Sequence, residues 1–113
     1  MASAAVVELL GGSVEASLNA ASFSLINIMG LVCDPVAGLV EFPCALRNAS
    51  GVVNALVSAD LALAGVKSLV PFDEVVEAMY RVGKALPESL RETALGGVAD
   101  TLTGKEVKKK FQC

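Results

Sequence analysis

The chain has 113 residues, enough for one hydrophobic core and too few for several domains. Apolar residues make up 54% of it and aromatic residues only 4%, so any interior is built from alanine, valine and leucine, small enough to let helices approach closely. A net charge of −3 without a basic face argues against nucleic-acid binding, and three cysteines without a charged leader point to a reducing cytosol instead of a secreted disulfide framework.

The predicted elements are helical throughout. "ASAAVVELL" stops at Gly11-Gly12, a helix C-terminal signal, and Ser13 with Glu15 opens a second helix running to about Met29. The uncharged run over residues 16–33 is long enough to cross a bilayer. It carries Ser17, Asn19, Ser22, Ser24 and Asn27 and lacks a leucine-rich centre and flanking basic residues, so a buried helix is expected and a membrane hairpin is the alternative. In "CDPVAG", Asp34 reads as a helix cap and Pro35 as the first helical residue. Pro43 starts the next helix, which ends near Gly65. On it Arg47, Ser50, Asn54 and Ser58 share one face, and the other faces are apolar and need cover.

Asp73 and Glu74 fall in the first turn after Pro71, where acidic groups offset the helix dipole. Val75, Val76, Met79, Val82 and Leu86 then form an apolar stripe, with Glu77 and Arg81 paired on the wet side. Pro87 ends this helix and opens another, "ESLRETAL", closed by Gly96-Gly97; Thr103 with Glu106 has capping-box spacing for a short last helix. The expected fold is all-α, a compact bundle of five or six helices.

Cys33 and Cys44 stand eleven residues apart, each beside a proline, in a chain without histidine. Unpaired cysteine is commonly a small buried hydrophobe. Here the reading of both prolines as helix starts sets both sulfurs near free amide donors and the positive end of a helix dipole, which favours thiolate. Paired thiolates suit a soft metal. Zinc is disfavoured, since the CxxC spacing and histidine partners of a four-ligand site are missing, whereas an iron-sulfur cluster accepts thiolates alone and needs further ligands from elsewhere.

"GLVCDPVAGLVEFPCALRNASG", with "ELLGGS", "FDEVVEAMYRVGKALP" and "RETALGG", closely resembles the iron-sulfur-dependent L-serine dehydratases, in which a CDPVAG element precedes a Pro-Cys by the same interval. The match covers nearly the whole chain and identifies residues 1–113 with the C-terminal part of the family's α subunit or α domain, hence with part of a larger catalytic domain. The resemblance implies a cytoplasmic lyase of amino-acid catabolism and gluconeogenesis. It converts L-serine to pyruvate and ammonia through a [4Fe-4S] cluster, without pyridoxal phosphate. An open iron acts as Lewis acid on the serine hydroxyl. Cys33 and Cys44 are then two of three protein ligands, and Cys113 in the "FQC" ending resembles a tail cysteine that folds back onto the open iron. A β subunit or β domain and a homo- or hetero-oligomer are implied as well; neither nucleic acid nor membrane is.

Asp34, Arg47, Asn48 and Arg91 are the further candidates for lining the pocket or supporting the ligands; Arg47, on an otherwise apolar helix, suits pairing with a carboxylate. The family's remaining cluster cysteine lies in a Gly-Cys-Gln type segment upstream of the "ELLGGS" helix, and Met1 stands only a few residues before that helix. An incomplete α subunit, inactive alone, is the expectation, or a ligand supplied by another chain. The alternatives are a non-catalytic helical assembly module with buried thiols and a related desulfidase acting on cysteine.

Overall fold

Five α-helices and three 3-10 turns make up the regular structure of residues 1–111, the part that the computed structural model describes. The helices are α1 (Ala2–Leu9), α2 (Val14–Asn27), α3 (Cys44–Leu63), α4 (Phe72–Ala85) and α5 (Leu102–Phe111); the turns cover Val36–Gly38, Glu88–Leu90 and Gly97–Asp100. The all-α expectation holds, since the described residues contain no sheet and only one isolated parallel bridge, between Cys33 and Arg91. None of the described helices is long and apolar enough to cross a membrane. The uncharged run breaks at Asn27, where α2 ends two residues short of the expected Met29.

The chain divides into two units: Met1–Met29 with Ser50–Lys84, and Gly30–Ala49 with the chain from Ala85 onward. In the first unit α1 turns into α2 as the glycine pair predicts. Gly11 takes a left-handed φ of +76°, and a Cβ on Gly12 would collide with Val7 Cγ1. Ser13 caps α2, its side chain accepting from the Ala16 amide at 3.1 Å. Val7, Ala20, Ala59 and Ala62 form the core, with Val6, Ala16 and Phe23 packed against it.

The stretch of α3 in this unit turns its polar face inward. Ser58 is fully buried, and Asn54 donates to the Ser24 carbonyl at 3.0 Å while its Oδ1 accepts from Asn27 Nδ2 at 2.8 Å and from Ser58 Oγ at 3.3 Å. Outward lie Val52, Val53, Leu56 and Val57, all about half exposed or more. The expectation that the apolar faces of this helix are covered is therefore reversed within the chain. Short serine, asparagine and alanine side chains allow close approach and satisfy one another's hydrogen bonds, which leaves the bulkier aliphatic groups outside. Helix α4 matches its pattern more closely. Asp73 and Glu74 occupy the first turn and Val75 is buried; Met79 and Val82 are half-buried, Val76 is exposed, and Glu77 meets Arg81 at 3.8 Å on the surface.

In the second unit "ESLRETAL" does not form a helix. After the turn at Glu88–Leu90, Glu92 and Ala94 adopt left-handed φ values of +66° and +55°, because this segment gives its backbone hydrogen bonds to Cys33. Helix α5 starts before Thr103: its cap is Thr101, whose Oγ1 accepts from the Gly104 amide at 3.1 Å. Gly104 is required there, since a Cβ would lie 2.6 Å from the Val98 carbonyl oxygen.

Candidate functional site

Cys33 and Cys44 fall in the same unit, joined by the connection between α2 and α3. Cys44 is the first residue of α3 and half-buried, and Cys33 is exposed on the preceding loop; both thiols are free. The reading of both as buried packing groups does not fit this exposure.

Cys33 is fixed by its backbone. Its N–H donates to the Leu90 carbonyl at 2.9 Å, and its own carbonyl accepts from the Glu92 amide at 2.7 Å, the pair of bonds that makes the bridge to Arg91. Next to it Asp34 is almost wholly buried, with 2% exposure. The expected helix cap is not formed. "PVAG" makes only a single 3-10 turn, Val36–Gly38, interrupted by Ala37 at φ +57°, and no side chain caps it. Asp34 instead accepts from Arg47 Nη1 at 2.5 Å and from the Val98 amide at 2.6 Å, so Arg47 does meet a carboxylate. The same Nη1 donates to the Val32 carbonyl at 2.8 Å. Burial alone would raise the Asp34 carboxyl, but the Val98 amide and the Arg47 guanidinium outweigh it and hold the group below the usual carboxylate range.

The electrostatics around Cys33 correct the expectation of a dipole-favoured thiolate. Partial burial pushes the thiol up, and the negative charge of Glu92 and the neighbouring Cys44 push the same way, against Arg47. One 3-10 turn supplies too little aligned dipole to reverse this. A bound cation would act against this, since its charge favours the deprotonated thiolate.

Among the predicted site residues, the structure thus joins Cys33, Asp34, Arg47 and the backbone of Arg91. Asn48 is exposed on α3 and takes no part in this network, and Cys113 lies outside the described residues. Sequence reasoning missed Val98, whose amide binds Asp34, and Gly97, where a Cβ would overlap the Asp34 carboxylate. The signal available was the Gly96-Gly97 pair, which marks a close backbone approach as readily as a helix end. The described residues hold no group of three or more cysteine or carboxylate side chains able to bind a metal together. Cys33 and Cys44 are two soft thiol donors, the ligand type an iron-sulfur group takes, and they do not make up a full ligand set by themselves.

Residues 1–99 match the family described as serine dehydratase alpha chain. The chain belongs to this family. It is 64% identical over 111 residues to the L-serine dehydratase, alpha chain, of Peptoniphilus asaccharolyticus, an alignment covering 98% of this chain and 38% of that relative. Identity is 56% over 111 residues to the "Probable L-serine dehydratase, alpha chain" of Bacillus subtilis (strain 168), covering 98% of this chain and 37% of the relative. With L-serine dehydratase TdcG of Escherichia coli (strain K12) it is 44% over 100 residues, 88% of this chain and 22% of the relative. The chain spans about two-fifths of the length of the first two of these serine dehydratase relatives.

Proposed function

We propose that this chain is the cluster-binding, C-terminal part of a cytoplasmic L-serine dehydratase alpha chain, acting with a β partner in the conversion of L-serine to pyruvate and ammonia. The observation that carries the proposal is that two free thiols, Cys33 and Cys44, fall in one unit of a chain that belongs to the serine dehydratase alpha-chain family. Cys33 and Cys44 would hold a [4Fe-4S] cluster, with the remaining protein thiolate from outside residues 1–111. When bound, such a group supplies a Lewis-acidic iron for the serine hydroxyl, otherwise a poor leaving group.

The chain's own residues present the ligands and keep their surroundings in order. Backbone bonds to Leu90 and Glu92 hold Cys33 on its loop, and Cys44 sits in the first turn of α3. Asp34 is committed to Arg47 and Val98, so removal of the serine α-proton is assigned to a base elsewhere in the protein. Loss of that proton and of hydroxide as water leaves aminoacrylate, which tautomerises and takes up water to give pyruvate and ammonia. No pyridoxal phosphate is needed for this sequence.

The test is pyruvate formation by the anaerobically reconstituted alpha chain with its β partner, supplied with L-serine or L-cysteine. Turnover of L-serine without added pyridoxal phosphate is expected; release of sulfide from L-cysteine with no action on L-serine would replace the proposal with a desulfidase.

A further inference from the structure

Three consecutive residues, 32–34, are held at every polar group the network reaches. Arg47 takes the Val32 carbonyl, Leu90 and Glu92 take both backbone groups of Cys33, and Arg47 with Val98 takes the Asp34 carboxylate. Two of these residues matter by position. Asp34 directly follows Cys33, and Arg47 lies one helical turn after Cys44 on α3. Their ion pair therefore joins the loop that carries one thiol to the helix turn that carries the other. An ion pair with one buried partner is a poor source of net stability, because desolvation of the carboxylate offsets much of the attraction. What it supplies is geometry, since a guanidinium between a carboxylate and a carbonyl accepts few arrangements. Gly97 belongs to the same device: at φ +60° it lies against Asp34, where any Cβ would occupy the space of the carboxylate.

We propose that the Arg47–Asp34 pair, seated against Gly97 and Val98, is a positioning device that sets the placement of Cys33 relative to Cys44 for metal binding. The proposal rests on the reading of these two cysteines as ligands. Neither Arg47 nor Asp34 is a ligand itself; they act through the backbone of the ligand-bearing segments, as outer groups around metal sites do.

The test uses the full 113-residue chain with Cys113→Ser, so that only Cys33 and Cys44 remain as thiols, and Co²⁺ alone as the probe, followed by its thiolate absorption under anaerobic conditions. Arg47→Gln removes the charge, Gly97→Ala displaces the carboxylate without altering any charge, and Arg47→Lys restores a donor for Asp34. Arg47→Gln and Gly97→Ala should each weaken Co²⁺ binding by about 10- to 100-fold, the usual effect of removing an outer partner, and Arg47→Lys should recover part of it. In the metal-free chain the Cys33 and Glu92 amides should exchange faster in Arg47→Gln than in the parent, while the α5 amides of the same unit stay protected and show that its fold is kept. Faster exchange at Cys33 with unchanged Co²⁺ affinity would overturn the positioning role. Absence of Co²⁺ binding in the parent would instead remove the ligand reading. The placement claim would then be decided by exchange alone, retained if Arg47→Gln deprotects Cys33 and Glu92 and overturned if it does not.

Discussion

Asn54→Ala tests the inward polar face of α3. The side chain makes three hydrogen bonds, one donated to the Ser24 carbonyl at 3.0 Å and two accepted from Asn27 and Ser58 at 2.8 and 3.3 Å. Asn27 is exposed and regains water at little cost, but Ser58 has no exposure and the Ser24 side-chain oxygen is already buried without a partner. Truncation thus orphans a buried hydroxyl and a carbonyl, at about 1–3 kcal/mol for each group left dry, and a loss of about 2–3 kcal/mol is expected after relaxation. At about 4–8 °C per kcal/mol for a domain of this size, thermal melts should fall by roughly 8–24 °C. The double variant Asn54→Ala with Ser58→Ala gives a second check, since its cost should be well below the sum of the single costs once the stranded hydroxyl is gone. A loss under about 0.5 kcal/mol for Asn54→Ala, the range of ordinary surface changes, would refute the inward assignment.

Gly12→Ala forces a Cβ into Val7 at the α1–α2 junction and should cost about 1–3 kcal/mol by overpacking, read by urea denaturation. The exposed aliphatic row Val52, Val53, Leu56 and Val57 should make the isolated chain self-associate, and Val53→Lys with Leu56→Lys should reduce the mass seen by light scattering; a monodisperse parent monomer at high concentration would contradict this. The isolated chain should form no pyruvate from L-serine, because the described residues offer two thiols, no larger ligand group and no histidine in the chain for proton transfer; turnover by the purified chain alone would disprove that.

Helix starts and stops that depend on short-range chemistry were legible in the sequence. Ser13 caps α2, Pro43 precedes α3, and Asp73 and Glu74 open α4 at the places their residue types indicate. Most of the errors share one cause, a polar group whose partner is far along the chain; the exception is the start of α5, where Thr101 and not Thr103 makes the local capping bond to Gly104. Asp34 has the sequence context of a cap but bonds to Val98, 64 residues away. "ESLRETAL" has helical composition, yet its backbone is taken by Cys33 across a similar interval. Likewise the Asn54 and Ser58 face has the spacing of a wet helix side, and only Ser24 and Asn27 on another helix reveal that it points inward. The two cysteines stand out in the sequence through the family-like stretch that carries them, whereas the helix start read beside Cys33 does not form; the Arg47–Asp34 pair linking their segments depends on tertiary geometry that spacing does not encode.

Anaerobic reconstitution of the chain with ferrous iron and sulfide, in excess small-molecule thiol able to complete a ligand set, tests the central claim most directly. Bound iron and sulfide should appear with broad visible absorption in the parent chain, and both should be lost in Cys33→Ala and in Cys44→Ala while far-ultraviolet circular dichroism keeps its helical form. Iron and sulfide retained at the parent level in either variant, or no uptake by a folded parent, would contradict the assignment of Cys33 and Cys44 as cluster ligands.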